Sequence, residues 1–106
     1  MAWILLAIAG ILEIGWPLGF KLASTYEKYF YFFIVLSVIS MGASGFFLYL
    51  AQKTISIGTA YVIWTGIGAI GTVLIGILFF HDSASILRLL FLSLILIGIV
   101  GLKLVH

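Results

Sequence analysis

Residues 2–20 read AWILLAIAGILEIGWPLGF, an apolar run that contains a single carboxylate, Glu13. As a helix, a run of this length reaches across most of the roughly 30 Å hydrocarbon core of a bilayer. Three similar runs follow, at residues 29–51, 58–80 and 86–102. The pattern therefore predicts an all-α membrane protein built from four transmembrane helices.

The composition agrees with this prediction. Hydrophobic residues make up 65% of the 106 residues, and only 8% are charged, against about a quarter in soluble domains. Cysteine is absent, which excludes disulfides, thiolate metal sites and cysteine nucleophiles. The net charge is +2, but the cations stand singly at the ends of apolar runs, where lysine and arginine anchor helices at the membrane interface. Binding to nucleic acid is therefore not expected.

The connections between the runs are short and read KLASTYEK, QKTISI and HDSAS. Such connections make neighbouring helices antiparallel, so residues 1–106 are expected to form one four-helix domain without a soluble part. A cleavable signal peptide is the alternative interpretation of the first run. Its charges argue against that, because the first cation, Lys21, follows the apolar stretch instead of preceding it.

The distribution of cations gives almost no preferred orientation in the membrane. Lys53 and Lys103 fall on one side, whereas Lys21, Lys28 and Arg88 fall on the other. Lysine and arginine normally decide orientation through a clear excess on the cytoplasmic side. Two alternatives remain open: another feature fixes one orientation, or the chain inserts in both directions and produces antiparallel partners.

Glu13 lies about 16 Å along the first helix, near the middle of the hydrocarbon core. A charge at that depth costs about 2.5–3.5 kcal/mol on insertion scales. No other ionisable residue lies at similar depth in the four runs, so Glu13 has no buried cation to pair with. We therefore predict a functional acid. A single carboxylate binds a proton or a cation but not both, which is the minimum device for proton–cation antiport.

Helical spacing puts further residues on the same stripe as Glu13, namely Gly10, Trp16 or Pro17, and Phe20. Gly10 is expected to leave space beside the carboxylate. Trp16 lies deeper than an interfacial tryptophan should, and would supply an indole N–H to the site. Pro17 cannot donate the backbone hydrogen bond to the carbonyl of Glu13, so the helix is expected to bend at the acid.

The third run contains GIGAIG at residues 66–71, which matches the dinucleotide-binding pattern G-x-G-x-x-G. That motif requires a preceding strand, whereas these glycines lie inside an apolar run and are expected to permit close helix contact or a hinge. Tyr61 and Trp64 are three residues apart on this helix, with Thr65 and Gly68 on the same side. The depth of Trp64 favours a role in the site.

The second and fourth runs carry weaker signals. Ser37, Ser40 and Ser44 recur at three- and four-residue spacing, for which hydrogen bonds within the helix are the ordinary expectation. The fourth run has Gly98 and Gly101 and no polar group suited to a site, so it is expected to serve packing or dimerisation.

No feature points to an enzyme, a cofactor or a metal site. His81 and Asp82 are adjacent in a short connection, without a further ligand nearby, and are expected to be solvated. Four short helices can hardly enclose a water-filled cavity around Glu13. At least a dimer is therefore expected, in which two such glutamates share one cavity and titrate together.

The order MAW…IAG…E…W…K, followed by GTAYVIWTGIGA and the final GLKLVH, resembles the small multidrug resistance family over the whole chain. Within that family the guanidinium-exporter subgroup is the best match. Trp16 separates the subgroups, since multidrug exporters typically have glycine at that place. Pro17 and Leu18 depart from the pattern, because the subgroup more usually carries small or aliphatic residues there.

The resemblance implies an antiparallel, dual-topology homodimer in the bacterial inner membrane that exchanges two protons for one cation. Glu13 of each subunit would be the shared carboxylate for proton and substrate, with Gly10 as its small neighbour. The hydrogen-bonding set implied to orient this carboxylate consists of Trp16, Ser44, Tyr61 and Trp64.

The leading hypothesis is a proton-coupled antiporter that exports guanidinium or small substituted guanidinium ions, whose planar N–H groups can make two parallel hydrogen bonds to a carboxylate. The alternative is a multidrug exporter of quaternary ammonium cations, which predicts a roomier aromatic pocket. A third hypothesis is a non-transporting membrane subunit, in which Glu13→Gln would be silent. A heterodimer of two paired chains is also open and would require a fixed orientation.

Overall fold

The computed structural model describes residues 1–105, which form an all-helical bundle; His106, the last residue of the GLKLVH pattern, lies outside them. The helices are α1 (Ala2–Thr25), α2 (Phe30–Ala51), α3 (Ile57–Phe79) and α4 (Ile86–Val105), with a short 3₁₀ helix (Glu27–Tyr29) between α1 and α2. All four α-helices are long and apolar enough to cross a membrane. The prediction of four transmembrane helices is confirmed.

Helix α1 runs further than the apolar stretch at residues 2–20. The hydroxyl groups of Ser24 and Thr25 donate to the carbonyl of Lys21, at 2.8 and 2.9 Å, and the N–H of Tyr26 donates to the carbonyl of Leu22. Serine and threonine hydroxyls commonly bond back to a carbonyl of the preceding turn, and here they do so in the part of α1 that lies beyond the apolar run. Pro17 lies inside α1 without interrupting it, and the bend expected there stays a prediction.

Helix α1 occupies the centre of the bundle, where it packs against both α2 and α3, whereas the backbone of α4 approaches only that of α3. A cluster of buried residues closes the end of the bundle where α1 begins and α2 connects to α3: Leu6, Ala51, Ile55, Ala60 and Ile63. No residue of α4 is buried. The subunit is flat, with extents of 46 × 35 × 17 Å. Such a thin layer of helices leaves α4 and one side of α1 exposed.

Three serines of α2 bond to the backbone of α1, in an antiparallel register. The pairs are Ser44 Oγ to the carbonyl of Ala9 at 2.7 Å, Ser40 Oγ to that of Leu12 at 2.6 Å, and Ser37 Oγ to that of Trp16 at 3.1 Å. The expectation of hydrogen bonds within α2 is therefore wrong. The reason lies on α1, because a Cβ added at Gly15 or Gly19 would collide with the hydroxyl of Ser40 or Ser37. Glycine there lets the serines reach the opposite backbone.

The glycines of GIGAIG lie within α3 and permit close contacts with other helices. A Cβ at Gly71 would collide with Ile14 of α1, and one at Gly66 would lie 2.9 Å from Cγ1 of Ile99 on α4. An α-helix without a preceding strand is not the setting of a nucleotide-binding turn. The predicted role of these glycines in helix packing is confirmed.

Every lysine of the chain has its ammonium group over an aromatic ring. The distances from Nζ to the ring centroid are 5.8 Å for Lys21 and Phe80, 5.6 Å for Lys28 and Tyr29, 5.2 Å for Lys53 and Tyr49, and 5.7 Å for Lys103 and Trp3. Cation–π contacts of this kind suit helix ends at a membrane interface, where one side of the residue is wet and the other apolar. They agree with the anchoring role expected of these cations.

Candidate functional site

The centre of the candidate site is a hydrogen bond between two side chains of α1. The indole Nε1 of Trp16 donates to Oε1 of Glu13 at 2.6 Å. Residues three apart on a helix share one face, which is why the tryptophan can reach back over one turn to the acid. Both side chains are half-buried. A hydrogen bond to a carboxylate is about twice as strong as one between neutral groups, so the indole fixes the orientation of Glu13. It leaves Oε2 and the second lone pair of Oε1 for other donors.

Glu13 and Trp16 open into a groove between α1 and α3 of about 320 Å³. Its remaining lining residues are Pro17 on α1 and Thr65, Gly68, Ala69, Thr72 and Val73 on α3. Most of this wall is apolar, so an ion in the groove would find Glu13 as its only fixed charge. The groove is a place where a small cation can lose water and gain a carboxylate.

The glycine that the structure places directly against the Glu13 side chain is Gly68. A Cβ added at Gly68 would lie 2.6 Å from Cγ of Glu13, whereas one at Gly10 would lie 2.7 Å from Cβ of Ile67. Gly10 therefore lets α3 approach α1 one turn before the acid. The expectation that Gly10 leaves space beside Glu13 stays a prediction.

A second group of predicted site residues forms a separate chain of hydrogen bonds. The indole Nε1 of Trp64 donates to Oγ of Ser44 at 2.8 Å, and Ser44 Oγ donates to the carbonyl of Ala9 at 2.7 Å. Ser44 is fully buried. This chain links α3 through α2 to α1, and it ends one helical turn before Glu13. These hydrogen bonds hold the α1 backbone in place next to the turn that carries Glu13.

Tyr61 packs against Trp64, with ring centroids 5.6 Å apart, and its side chain is 55% exposed. It lies on the outside of the subunit and does not line the groove that contains Glu13. The structure thus gathers Glu13, Trp16, Pro17, Thr65 and Gly68 around one groove, while Tyr61 belongs with Trp64 and Ser44.

Thr72 is a groove residue that the sequence analysis missed. The signal was present, because Thr65, Gly68 and Thr72 recur at three- and four-residue spacing and so share one face of α3. A second missed feature is the pairing of serines on α2 with carbonyls on α1. That pairing depends on how two helices are rotated against each other, which helical spacing alone does not give.

Comparison with known proteins gives a consistent result. The family model for the Small Multidrug Resistance protein matches residues 1–95. A guanidinium exporter of Yersinia pseudotuberculosis is 49% identical over 104 residues, which cover 98% of each chain. One of Proteus vulgaris is 47% identical over 106 residues, again 98% of each chain. One of Escherichia coli is 43% identical over 104 residues, 98% of this chain and 97% of its own.

Proposed function

The chain belongs to the small multidrug resistance family, and from this premise we propose that it exports guanidinium or small substituted guanidinium ions in exchange for protons. Four membrane-spanning helices and bacterial exporter relatives make it a multi-pass protein of the inner membrane. The named activity of the relatives supports guanidinium as the substrate class, and it favours a transporter over an enzyme.

The observation that carries the proposal is the bond from Trp16 Nε1 to Glu13 Oε1 in the groove. The indole uses one lone pair of Oε1 and leaves Oε2 and the second lone pair of Oε1 for a planar cation with paired N–H donors. Guanidinium satisfies this geometry with two parallel hydrogen bonds, whereas a quaternary ammonium ion has no N–H to donate.

Exchange follows from competition for one charge. When Glu13 is ionised it attracts the cation, and when it is protonated it does not. In a groove with largely apolar walls, charges interact more strongly than in water, so proton and cation exclude each other effectively. A carrier that changes orientation only when Glu13 is occupied would then move protons one way and cations the other. Residues other than Glu13 orient the carboxylate and need not change protonation.

The working unit that we propose is an antiparallel homodimer. A subunit only 17 Å thick leaves the groove open at its side, and α4 has no buried residue with which to cover it. A Cβ added at Gly98 or Gly101 would meet no atom within 4 Å, so this face of α4 is available to a second helix. The weak cation bias between the two sides of the membrane supports insertion in both orientations. Two copies of Glu13 in one cavity would exchange two protons for one cation.

The test is transport by the purified protein in liposomes. Because two protons exchange for one guanidinium ion, each cycle moves net charge, and a guanidinium gradient should evoke a current. We expect Glu13→Gln to abolish this current, since the amide can neither release a proton nor hold a cation. Glu27→Gln is the matched control, because Glu27 lies in the exposed 3₁₀ helix and its replacement should leave the current unchanged.

The same liposomes separate the competing functions. A current with a tetraalkylammonium ion and none with guanidinium would assign the chain to multidrug export. Current that persists in Glu13→Gln would contradict the mechanism, because coupling would then lie elsewhere. No current with either cation would contradict the exchange of two protons for one cation that we propose.

A further inference from the structure

A second cavity adjoins the groove that contains Glu13. It has a volume of about 230 Å³ and lies between α1, α3 and the connection from α3 to α4. Pro17 and Thr72 line both spaces, so the two are neighbours that share one wall. Lys21 and Asp82 line the second cavity and give it its charged groups. One space thus contains Glu13, and its neighbour contains charged groups near the end of α3.

Asp82 is held in this cavity by the way in which α3 ends. His81 adopts a left-handed backbone conformation, with φ of 60°, which turns the chain back toward the helix. The N–H of Asp82 then donates to the carbonyl of Gly76 at 3.1 Å. The Asp82 carboxylate packs against Gly76, where a Cβ would collide with it. Asp82 remains solvent-accessible, as expected from the sequence, but it is fixed against α3 instead of moving with a free loop.

Asp82 is the acid of the chain that lines the second cavity. Only three are present, and Glu27, the third, lies in the exposed 3₁₀ helix and does not line this cavity. Gly76 is about 12 Å along α3 from Gly68, the neighbour of Glu13. Because Glu13 lies near the middle of the membrane, this distance places Asp82 near the membrane surface. Asp82 is therefore the acid that lines the space next to the groove of Glu13.

Lys21 makes this subsite weak. Its ammonium group lies 5.8 Å from the centroid of the Phe80 ring, and it lines the same cavity as Asp82. The ammonium group of Lys21 opposes the attraction between Asp82 and a cation, so Asp82 attracts the ion only locally and weakly. A passing ion must bind well enough to enter and weakly enough to leave, and this balance of charges meets both requirements.

We infer that Asp82 forms an outer cation subsite, at which a guanidinium-type ion pauses between the aqueous surface and Glu13. The inference rests on the proposed function, because it assigns the route by which that substrate reaches its carboxylate. In this role Asp82 raises the local concentration of the cation and speeds its arrival. It does not hold the ion during exchange, which remains the task of Glu13.

The experiment measures initial guanidinium transport against substrate concentration in liposomes at low ionic strength. The variants are Asp82→Asn, Asp82→Glu and Glu27→Gln, with Asp82→Ser as a second neutral replacement if the asparagine variant does not fold. Glu27 and Asp82 lie on the same side of the membrane, so their replacements make the same change in surface charge. Acidic residues contribute little to membrane orientation, so topology should not change.

We expect Asp82→Asn to raise the KM for guanidinium about threefold to tenfold, the low end of electrostatic effects on association. The saturating rate should stay within about twofold of wild type, because Glu13 still carries the exchange. Asp82→Glu and Glu27→Gln should keep the wild-type KM. At high ionic strength the difference between Asp82→Asn and wild type should shrink, since salt screens charges near the surface.

Two results would overturn the inference while leaving guanidinium export intact. In the first, Asp82→Asn and Glu27→Gln change KM equally, which would reduce the effect to general surface charge. In the second, the saturating rate falls while KM is unchanged, which would give Asp82 a purely structural role. Absence of guanidinium transport by the wild-type protein would overturn the proposed function and this inference together.

Discussion

Helix α1 contacts α2 and α3 through two faces that use glycine in opposite ways. Toward α2, the glycines are on α1, and the serines of α2 reach across them to the α1 backbone. Toward α3, at the level of the acid, the glycine is Gly68 on the neighbouring helix, and it admits the side chain of Glu13. The first arrangement brings two backbones together, and the second makes room for a functional group.

This difference separates stability from function within one helix. Hydrogen bonds from Ser37, Ser40 and Ser44 close the face toward α2 and keep α1 in register. The face toward α3 keeps a groove in which the carboxylate can meet an ion. Small residues on a transmembrane helix therefore do not all have the same structural role. Their role depends on which of the two helices carries them and on what the other helix presents.

The largest effect is expected at the open face. Gly68→Ala would place a Cβ 2.6 Å from Cγ and 3.1 Å from Cβ of Glu13, so the acid would have to move as a whole. A displacement of about 1 Å at a reacting group can cost about 100-fold in rate. We expect guanidinium transport to fall by about that factor, as measured by initial rates in liposomes.

The matched control for Gly68→Ala is Gly58→Ala on the same helix, because a Cβ at Gly58 would meet no atom within 4 Å. It should transport at the wild-type rate. If Gly68→Ala transported normally, the groove would have to accommodate the methyl group without moving Glu13. The contrast between the two faces would then be lost.

A smaller effect, on stability, is expected at the closed face. Gly15→Ala would push a methyl group into the hydroxyl of Ser40, and overpacking of this kind costs about 1–3 kcal/mol. We expect the free energy of unfolding in detergent micelles to fall by that amount. Gly42→Ala is the control, since a Cβ at Gly42 would meet nothing within 4 Å. Equal losses in both variants would show that the close approach of α1 and α2 is not what stabilises this face.

The sequence was sufficient to predict the helices and the acid. Apolar runs of membrane length locate the four helices, because the hydrocarbon thickness constrains them more than packing does. The depth of Glu13 and the three-residue spacing to Trp16 follow from position along one helix. The helix ends were less predictable, since α1 continues to Thr25 through polar residues that hydropathy does not assign to a membrane helix.

What the sequence could not supply is the rotation of each helix about its axis. Gly10 and Gly68 are both near Glu13 in principle, and only the packed structure assigns Gly10 to Ile67 and Gly68 to the acid. The serines of α2 could equally have bonded within their own helix. The position of Asp82 depends on the left-handed conformation of His81, which no periodic pattern in HDSAS indicates.

The smallest effect is expected from removal of a single hydrogen bond at the closed face. Ser40→Ala deletes the bond from Ser40 Oγ to the carbonyl of Leu12, which measures 2.6 Å. That carbonyl keeps the ordinary helical bond from the N–H of Trp16, so it is not left without a donor. Hydrogen bonds between membrane helices contribute about 0.6 kcal/mol on average. We expect a loss of that size in the unfolding free energy of the detergent-solubilised protein.

Ser93→Ala is the control for this measurement, because Ser93 Oγ donates to the carbonyl of Leu89 within exposed α4 and holds no second helix. Ser93→Ala should leave the unfolding free energy almost unchanged. A loss as large as that of Ser40→Ala would show that the bond from Ser40 to α1 contributes no more than a bond within one helix.

The double variant Gly15→Ala with Ser40→Ala completes the comparison. If the clash with the hydroxyl causes the damage in Gly15→Ala, its removal by Ser40→Ala should restore part of the lost stability. If the double variant instead loses as much unfolding free energy as the two single variants together, packing holds the α1 and α2 backbones together. The Ser40 hydroxyl is then not the cause of the damage in Gly15→Ala.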